Sequence, residues 1–298
     1  MHAFQRWADG PRAEAASTSD PARARRAASL CVASGKGGTG KSVVASSLAC
    51  LLRARGRTLL VDADMGVGNA HLMFDLSPAR SFVDVVAGRC TVAEARAACL
   101  PGLELVGAGS GVSRMSALSA YEMHLIARGL QELDGEYAHL VVDSAAGISE
   151  QTVGFAAACD VVVLVTTPDV TAMTDAYAFL KVLWARRRES RVLLVVNRVP
   201  AEPGEGALVA RHVGERIAAV SEKFLGRAPS MLCAVPEDAA CARSLALRKP
   251  LVVAEPGAPA TVALQAASVV LADELDGIAH GGLGWRLADA VGFSTASA

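Results

Sequence analysis

Aromatic side chains are scarce: seven Phe, three Tyr and three Trp make up 4% of 298 residues. The core must therefore be assembled from Ala, Val and Leu, as in α/β proteins with buried parallel strands. There is no surplus of either charge, since the formal net charge is −1. That excludes a global attraction to nucleic acid or to membrane and leaves only local patches. No apolar run approaches the roughly 20 residues of a membrane-spanning helix. The seven cysteines (Cys31, Cys50, Cys90, Cys99, Cys159, Cys233 and Cys241) contain no CxxC pair. An odd, dispersed set without a secretory leader pattern predicts reduced thiols, mostly buried, in the cytosol. Internal repeats are absent as well.

What is present is a repeated grammar of short apolar run, polar turn and amphipathic stretch. Apolar runs occupy residues 29–34, 58–62, 103–106, 139–143, 161–166, 191–197, 231–235 and 251–253. Helical patterns cover 42–55, 117–133, 171–187, 208–224, 239–247 and 260–275. This alternation predicts a doubly wound, mostly parallel sheet with helices on both faces. Residues 1–27, rich in Pro, Ala, Ser and Arg without periodicity, read as a flexible arm. One domain is expected over 28–278, followed by a tail over 279–298.

The chemistry concentrates in one loop. Gly35, Lys36, Gly37, Gly38, Thr39, Gly40, Lys41 and Ser42 match G-x-x-x-x-G-K-[ST] between an apolar strand and a helix. Such a loop surrounds phosphates with backbone N–H groups and a helix N-terminus. Lys41 would reach the β/γ-phosphates and the Ser42 hydroxyl would hold Mg²⁺. The same glycines also spell the dinucleotide fingerprint, with Asp62 about 20 residues on, where a ribose-binding acid belongs. Lys41 and Ser42 have no duty in that alternative. A triphosphate site needs a second acidic strand end, and Asp143 supplies one. The ligand of a parallel sheet sits beyond the carboxyl ends of its strands, where Asp62 and Asp143 both fall. Glycine-containing stretches follow them, at 64–68 and 144–147, as candidate γ-phosphate sensors. An aspartate after a strand is often only a turn residue; two beside such a loop point to ligand chemistry.

Lys36 cannot easily share the task of Lys41, because like charges repel unless a strongly anionic group lies between them. KGGTGKS, residues 36–42, resembles the signature of the deviant Walker A ATPases, the MinD/ParA superfamily. That resemblance implies a P-loop ATPase fold, ATP and Mg²⁺ as cofactors, and slow hydrolysis. It also implies a homodimer formed with ATP, in which Lys36 reaches the nucleotide of the other subunit and stabilises transition-state charge. Asp62 is then expected to position the attacking water, and Asp64 and Asp143 to act with Ser42 through the metal. Asn197 matches an adenine-recognising asparagine and Pro236 a base-stacking loop; an Asn closing a strand into a turn is an equally ordinary fit.

Within the superfamily, residues 28–270 look most like the flagellar-number regulators, the FlhG/FleN-like branch. The segments that carry this are VDADMGVGNAHLMFDL (61–76), GAGSGVSRMSALS (107–119), VVDSAAGIS (141–149), TTPDVTAMTDAYAFLKVL (166–183) and AVPEDAACARSLALRKPLV (234–252). His71 departs from an acidic residue common there, and the arm lacks the Asp-Gln-Ala motif through which relatives activate a partner GTPase. The implied partner is a flagellar transcription regulator, that GTPase or a basal-body component. MinD-like division-site placement and ParA-like partitioning are the neighbouring alternatives. A redox or biosynthetic enzyme on the same fold is the alternative from another class. Cluster ligation of the iron-protein kind would need paired cysteines near the switch loops, which Cys90 and Cys99 do not provide.

Two local features remain. Arg186, Arg187, Arg188 and Arg191 read as a solvated helix end; a DNA-backbone patch is the sharper alternative, disfavoured by the near-neutral charge and the lack of interleaved aromatics. In 281–293, Leu283, Leu287 and Val291 share a face opposite Trp285, with Arg286 the only cation. Peripheral contact at the inner face of the cell membrane would therefore be weak, and would gain from a dimer's bivalency.

Overall fold

The computed structural model describes residues 26–109, 118–202 and 204–290. Its strands are β1 (Ala28–Ser34), β2 (Thr58–Ala63), β3 (Arg96–Leu100), β4 (Leu103–Val106), β5 (His139–Ala146), β6 (Val161–Thr166), β7 (Arg191–Val199) and β8 (Ser230–Pro236). Between and after them run α1 (Lys41–Leu52), α2 (Phe82–Val86), α3 (Ala120–Glu132), α4 (Glu150–Ala158), α5 (Val170–Arg186) and α6 (Glu205–Leu225). The helices α7 (Ala239–Ala246), α8 (Leu251–Ala254), α9 (Pro259–Asp276) and α10 (Leu283–Ala290) follow.

All eight strands form one sheet in the order β3-β4-β2-β5-β1-β6-β7-β8. Every pairing is parallel except β3 with β4. The central strands are apolar almost without interruption because both faces are covered. Successive side chains still alternate between faces. Cys31, Val61, Val142 and Leu164 point into one core with α3, α4, α5, α6 and α10. Leu30, Leu60, Val141 and Val163 point into the other with α1 and α9.

Two elements differ from the sequence reading. Residues 251–253, expected as a strand, lie in the helix α8, which starts directly after Pro250. A three-residue apolar run carries no usable period, and the proline's fixed φ and missing N–H suit a helix start. The strand β3 was not expected. Arg-Ala-Ala-Cys-Leu has no β-branched residue, and it is recruited to the sheet edge by a tight turn at Pro101-Gly102, where Gly102 has φ +80°.

The tail is the larger difference. Leu283, Leu287 and Ala288 of α10 are buried in the core with α3 and α4. Gly284 lies so close to α3 that a Cβ there would stand 2.5 Å from the Ala127 carbonyl oxygen. Arg286 donates to Asp160 at 2.7 Å, and the same carboxylate accepts from the Ser29 and Gly281 N–H groups. Arg26 reaches the Gly281 carbonyl, and Ala27 is buried. The apolar face offered to a membrane in the sequence reading is thus occupied within the chain up to residue 290; Val291 and residues 1–25 of the arm lie outside the described residues. Leu287→Ala should lower stability by about 2–4 kcal/mol, read as a shift of the urea midpoint. An unchanged midpoint would mean that α10 is not docked in solution.

Candidate nucleotide-binding site

β1 delivers the chain into residues 35–40, and α1 begins at Lys41. The turn depends on glycine at defined points. Gly38 and Gly40 have φ +79° and +89°, a region that disfavours side chains. At Gly35 a Cβ would stand 2.1 Å from the Asp175 carbonyl oxygen of α5. The loop is also tied down by hydrogen bonds. The Asn197 amide nitrogen donates to the Thr39 carbonyl at 2.7 Å, the Ser34 hydroxyl to the Lys36 carbonyl at 2.9 Å, and the Gly147 N–H to the Ser34 carbonyl at 2.9 Å.

Strand register gathers the acids. Val32 and Asp62 both lie beside Asp143 on the neighbouring strands. Lys41 Nζ meets Asp143 Oδ1 at 2.6 Å, with 9% and 3% of the two side chains exposed. Asp62 is wholly buried; its oxygens accept from the Asp64 and Ala70 N–H groups at 3.1 and 3.0 Å. Asp64 accepts from the Val67 N–H at 3.2 Å, which shapes the loop after β2. Burial first, and then the neighbouring Asp143 charge, push the Asp62 carboxyl up to about 7, against the pull of the two N–H donors.

That displacement has a thermodynamic sign. The folded chain holds a proton that the unfolded chain releases near pH 4, so stability falls as pH rises from about 4 to about 7 and then levels. Asp62→Asn should remove this slope. The stability of wild type relative to the variant should drop by on the order of a few kcal/mol between pH 5 and 7.5, measured by urea unfolding without nucleotide or metal. A constant difference would contradict the assignment.

Lys36 faces outward. Its ammonium meets Asp169 Oδ2 at 2.7 Å and also contacts the Thr171 hydroxyl, with 40% of the Lys36 side chain exposed. Asp169 caps α5 by accepting from the Thr171 N–H. The Lys36 hydrogen bond, and then that capping bond, hold the Asp169 carboxyl down at about 2. The two lysines of the loop therefore occupy different environments, one sealed behind the phosphate cradle and one at its rim. Asp169 and Thr171 escaped the sequence reading; the strand–Pro–Asp–x–Thr pattern of a helix cap was the available signal.

Asn197 and Pro236 come together at one sheet edge, since Asn197 pairs with Val235 and Val199 with Pro236. The Asn197 amide is engaged in holding the loop, and a Cβ on Gly40 would stand 2.3 Å from it. The residues fit a nucleotide and its metal on two observations. The Thr39 hydroxyl is buried in the loop without a hydrogen-bond partner. The Ser42 hydroxyl and the Asp143 carboxylate converge on the Lys41 ammonium, at 3.5 and 2.6 Å, so a hydroxyl and a carboxylate already face one cation. A hydroxyl with one or two carboxylates suits Mg²⁺, which is completed by water and phosphate oxygens.

A glycine loop between β1 and α1, with a buried lysine and two acidic strand ends, defines a P-loop nucleotide-binding protein. The CobQ/CobB/MinD/ParA nucleotide binding domain matches residues 30–250, and the chain belongs to that family. It is 31% identical to the antiactivator FleN of Pseudomonas aeruginosa over 80% of this chain and 83% of the relative. It is 35% identical to the flagellum site-determining protein YlxH of Helicobacter pylori over 59% of this chain and 60% of the relative. The fold matches the cell division ATPase MinD of Pyrococcus furiosus with a TM-score of 0.69 at 21% identity, over 83% of this chain and 99% of that one. It also matches the MinD of Pyrococcus horikoshii, solved with Mg-ADP, with a TM-score of 0.68 at 19% identity, over 82% and 96%.

Proposed function

We propose that this protein is a slow, Mg²⁺-dependent ATPase that dimerises with ATP and, as a dimer, restrains flagellar number or sets flagellar placement. The observation that carries the switch is the contrast between Lys41, buried against Asp143, and Lys36, exposed at the rim. A lysine at the rim serves a phosphate only when a second copy brings one to it. Its pairing with Asp169 is exposed to water and screened, so little opposes its transfer to a more anionic partner. The flagellar output rests on the likeness to FleN across most of both chains.

In this reading Lys41 exchanges Asp143 for the phosphates, which frees Asp143 to join Ser42 and Asp64 around the metal. Ser42, Asp64 and Asp143 would hold Mg²⁺, which when bound would neutralise phosphate charge. Asp62, held by two N–H donors at a strand end, orients the attacking water. The glycine loop donates its N–H groups, while Asn197 and Pro236 border the base. The loops after β2 and β5 present a surface that differs between nucleotide states, and a partner that binds the two states unequally is recruited by ATP. Such a partner is a flagellar transcription regulator, a GTPase or a basal-body protein. The test is copurification of flagellar regulators with Asp62→Ala against Lys36→Ala in the presence of ATP; equal recovery with both variants would remove the dimer from the output.

A further inference from the structure

The basic run that reads as a solvated helix end is only partly solvated. Arg187, half-buried, donates to the carbonyls of Ala157 and Cys159 at 2.8 and 2.9 Å. It also forms one wall of a cavity of about 310 Å³, shared with Arg191, Arg227 and Arg286. The cavity opens at the amino-terminal ends of β6, β7 and β8, where Asp160, Arg191 and Ser230 stand. A strand of six residues separates this edge from the P-loop edge, a distance of about 20 Å. A ligand here is therefore not the nucleotide that Lys41 holds.

The charges of this cavity are unevenly matched. Arg286 pairs with Asp160, Arg187 with Glu189, and Arg191 with Glu274. Asp160 has nothing left to offer, since it accepts from the Ser29 N–H, the Ser29 hydroxyl, the Gly281 N–H and Arg286. Arg227 is different. Among the described residues no hydrogen bond or ion pair engages its guanidinium, which stacks on Trp184 at 4.7 Å. Trp184 is itself fixed by donating to the Ser190 carbonyl at 3.0 Å. Partial burial, and then the nearby Arg188 charge, lower the affinity of Arg227 for its proton, against the opposing pull of the Glu189 carboxylate in the same wall. Stacking immobilises the plane of a guanidinium and leaves its N–H edge available. The result is a preorganised fork of unused donors, beside a second cation, in a concave wall.

We propose that this cavity is a second anion site, which takes a small phosphate-bearing molecule through Arg227 with support from Arg191 and Arg187. A fixed guanidinium fork meets two oxygens of one anion, carboxylate or phosphate, and the three further arginines of the lining favour the more highly charged phosphate. The concave shape and small volume favour a free phosphoanion or a single headgroup over a nucleic-acid backbone, which needs an extended track of cations. The site does not depend on the ATPase reading.

The test is calorimetric titration of inorganic pyrophosphate into the full chain with its P-loop saturated by ADP and Mg²⁺. The expected result is saturable binding of one pyrophosphate per chain. Arg227→Gln should weaken it by about tenfold or more, and Ala228→Glu, which sets a carboxylate in the cavity wall, should abolish it. Both variants should keep wild-type ADP affinity, which reports an intact fold. Sedimentation with anionic phospholipid vesicles separates the sources. Vesicle binding lost in both variants, together with pyrophosphate binding, assigns a headgroup; pyrophosphate binding without vesicle binding assigns a free phosphoanion. No saturable binding to the ADP-loaded chain, binding untouched by both variants, or binding of duplex DNA or vesicles in place of pyrophosphate would overturn the proposal.

Discussion

Lys36→Ala should abolish ATP-dependent dimerisation while leaving ATP affinity within about threefold of wild type: this is the largest effect expected of any single substitution that spares nucleotide binding. Lys41 and Lys36 are separated by four residues of glycine and threonine, yet their side chains are 9% and 40% exposed. The buried one already faces Asp143. The exposed one turns away, toward Asp169 and Thr171 at the start of α5. In the proposed dimer, removing Lys36 would leave the chain's own nucleotide contacts in place and would delete only the charge offered to a second copy. Hydrolysis should fall with it, by about a thousandfold, the scale of a charge supplied in trans to a phosphoryl-transfer transition state. Light scattering with ATP and Mg²⁺ reads the first effect and phosphate release the second. Lys41→Ala is the contrasting variant, since it should lose nucleotide binding itself.

Asp62→Ala should bind ATP, hydrolyse it at least about a hundredfold more slowly, and accumulate as the dimer. The carboxylate is wholly buried, oriented by two backbone donors and paired in register with Asp143. Burial of an acid at the end of a strand, beside another acid, is costly even with two N–H donors, and such costs cluster at functional sites. A water-positioning group fits, because its loss would leave the phosphate and metal contacts proposed for Lys41, Ser42 and Asp143 untouched. Single-turnover hydrolysis alongside sedimentation velocity checks both halves. Normal turnover would remove Asp62 from the reaction.

How much of this was legible in the sequence depended on whether the signal was local. The strand-loop-helix around Gly35 to Ser42 could be read directly, because each glycine and the Lys-Ser pair sit in one stretch of chain. Asp62 and Asp143 could be read because both close apolar runs, and parallel register then brings them side by side. The Lys36 contact with Asp169 could not, since 133 residues separate the two and either one alone looks like an ordinary surface charge. The docking of α10 was hidden for a different reason. Its buried face consists of Leu283, Gly284, Leu287 and Ala288; two of these are small residues that admit close approach to α3 and carry almost no hydropathy signal. For Asn197 the residue type was informative and the contact was not: the amide that could recognise a base is seen holding the Thr39 carbonyl.

If the ATP dimer restrains flagellar assembly, as proposed, the number of flagella seen by electron microscopy should follow the dimer. In the organism that carries this gene, cells in which Lys36→Ala replaces the native protein should carry extra or misplaced flagella, as should a deletion strain. Cells with Asp62→Ala, fixed as dimer, should carry fewer than wild type. Unchanged flagella in both strains, with displaced division septa or chromosome origins instead, would contradict the proposal.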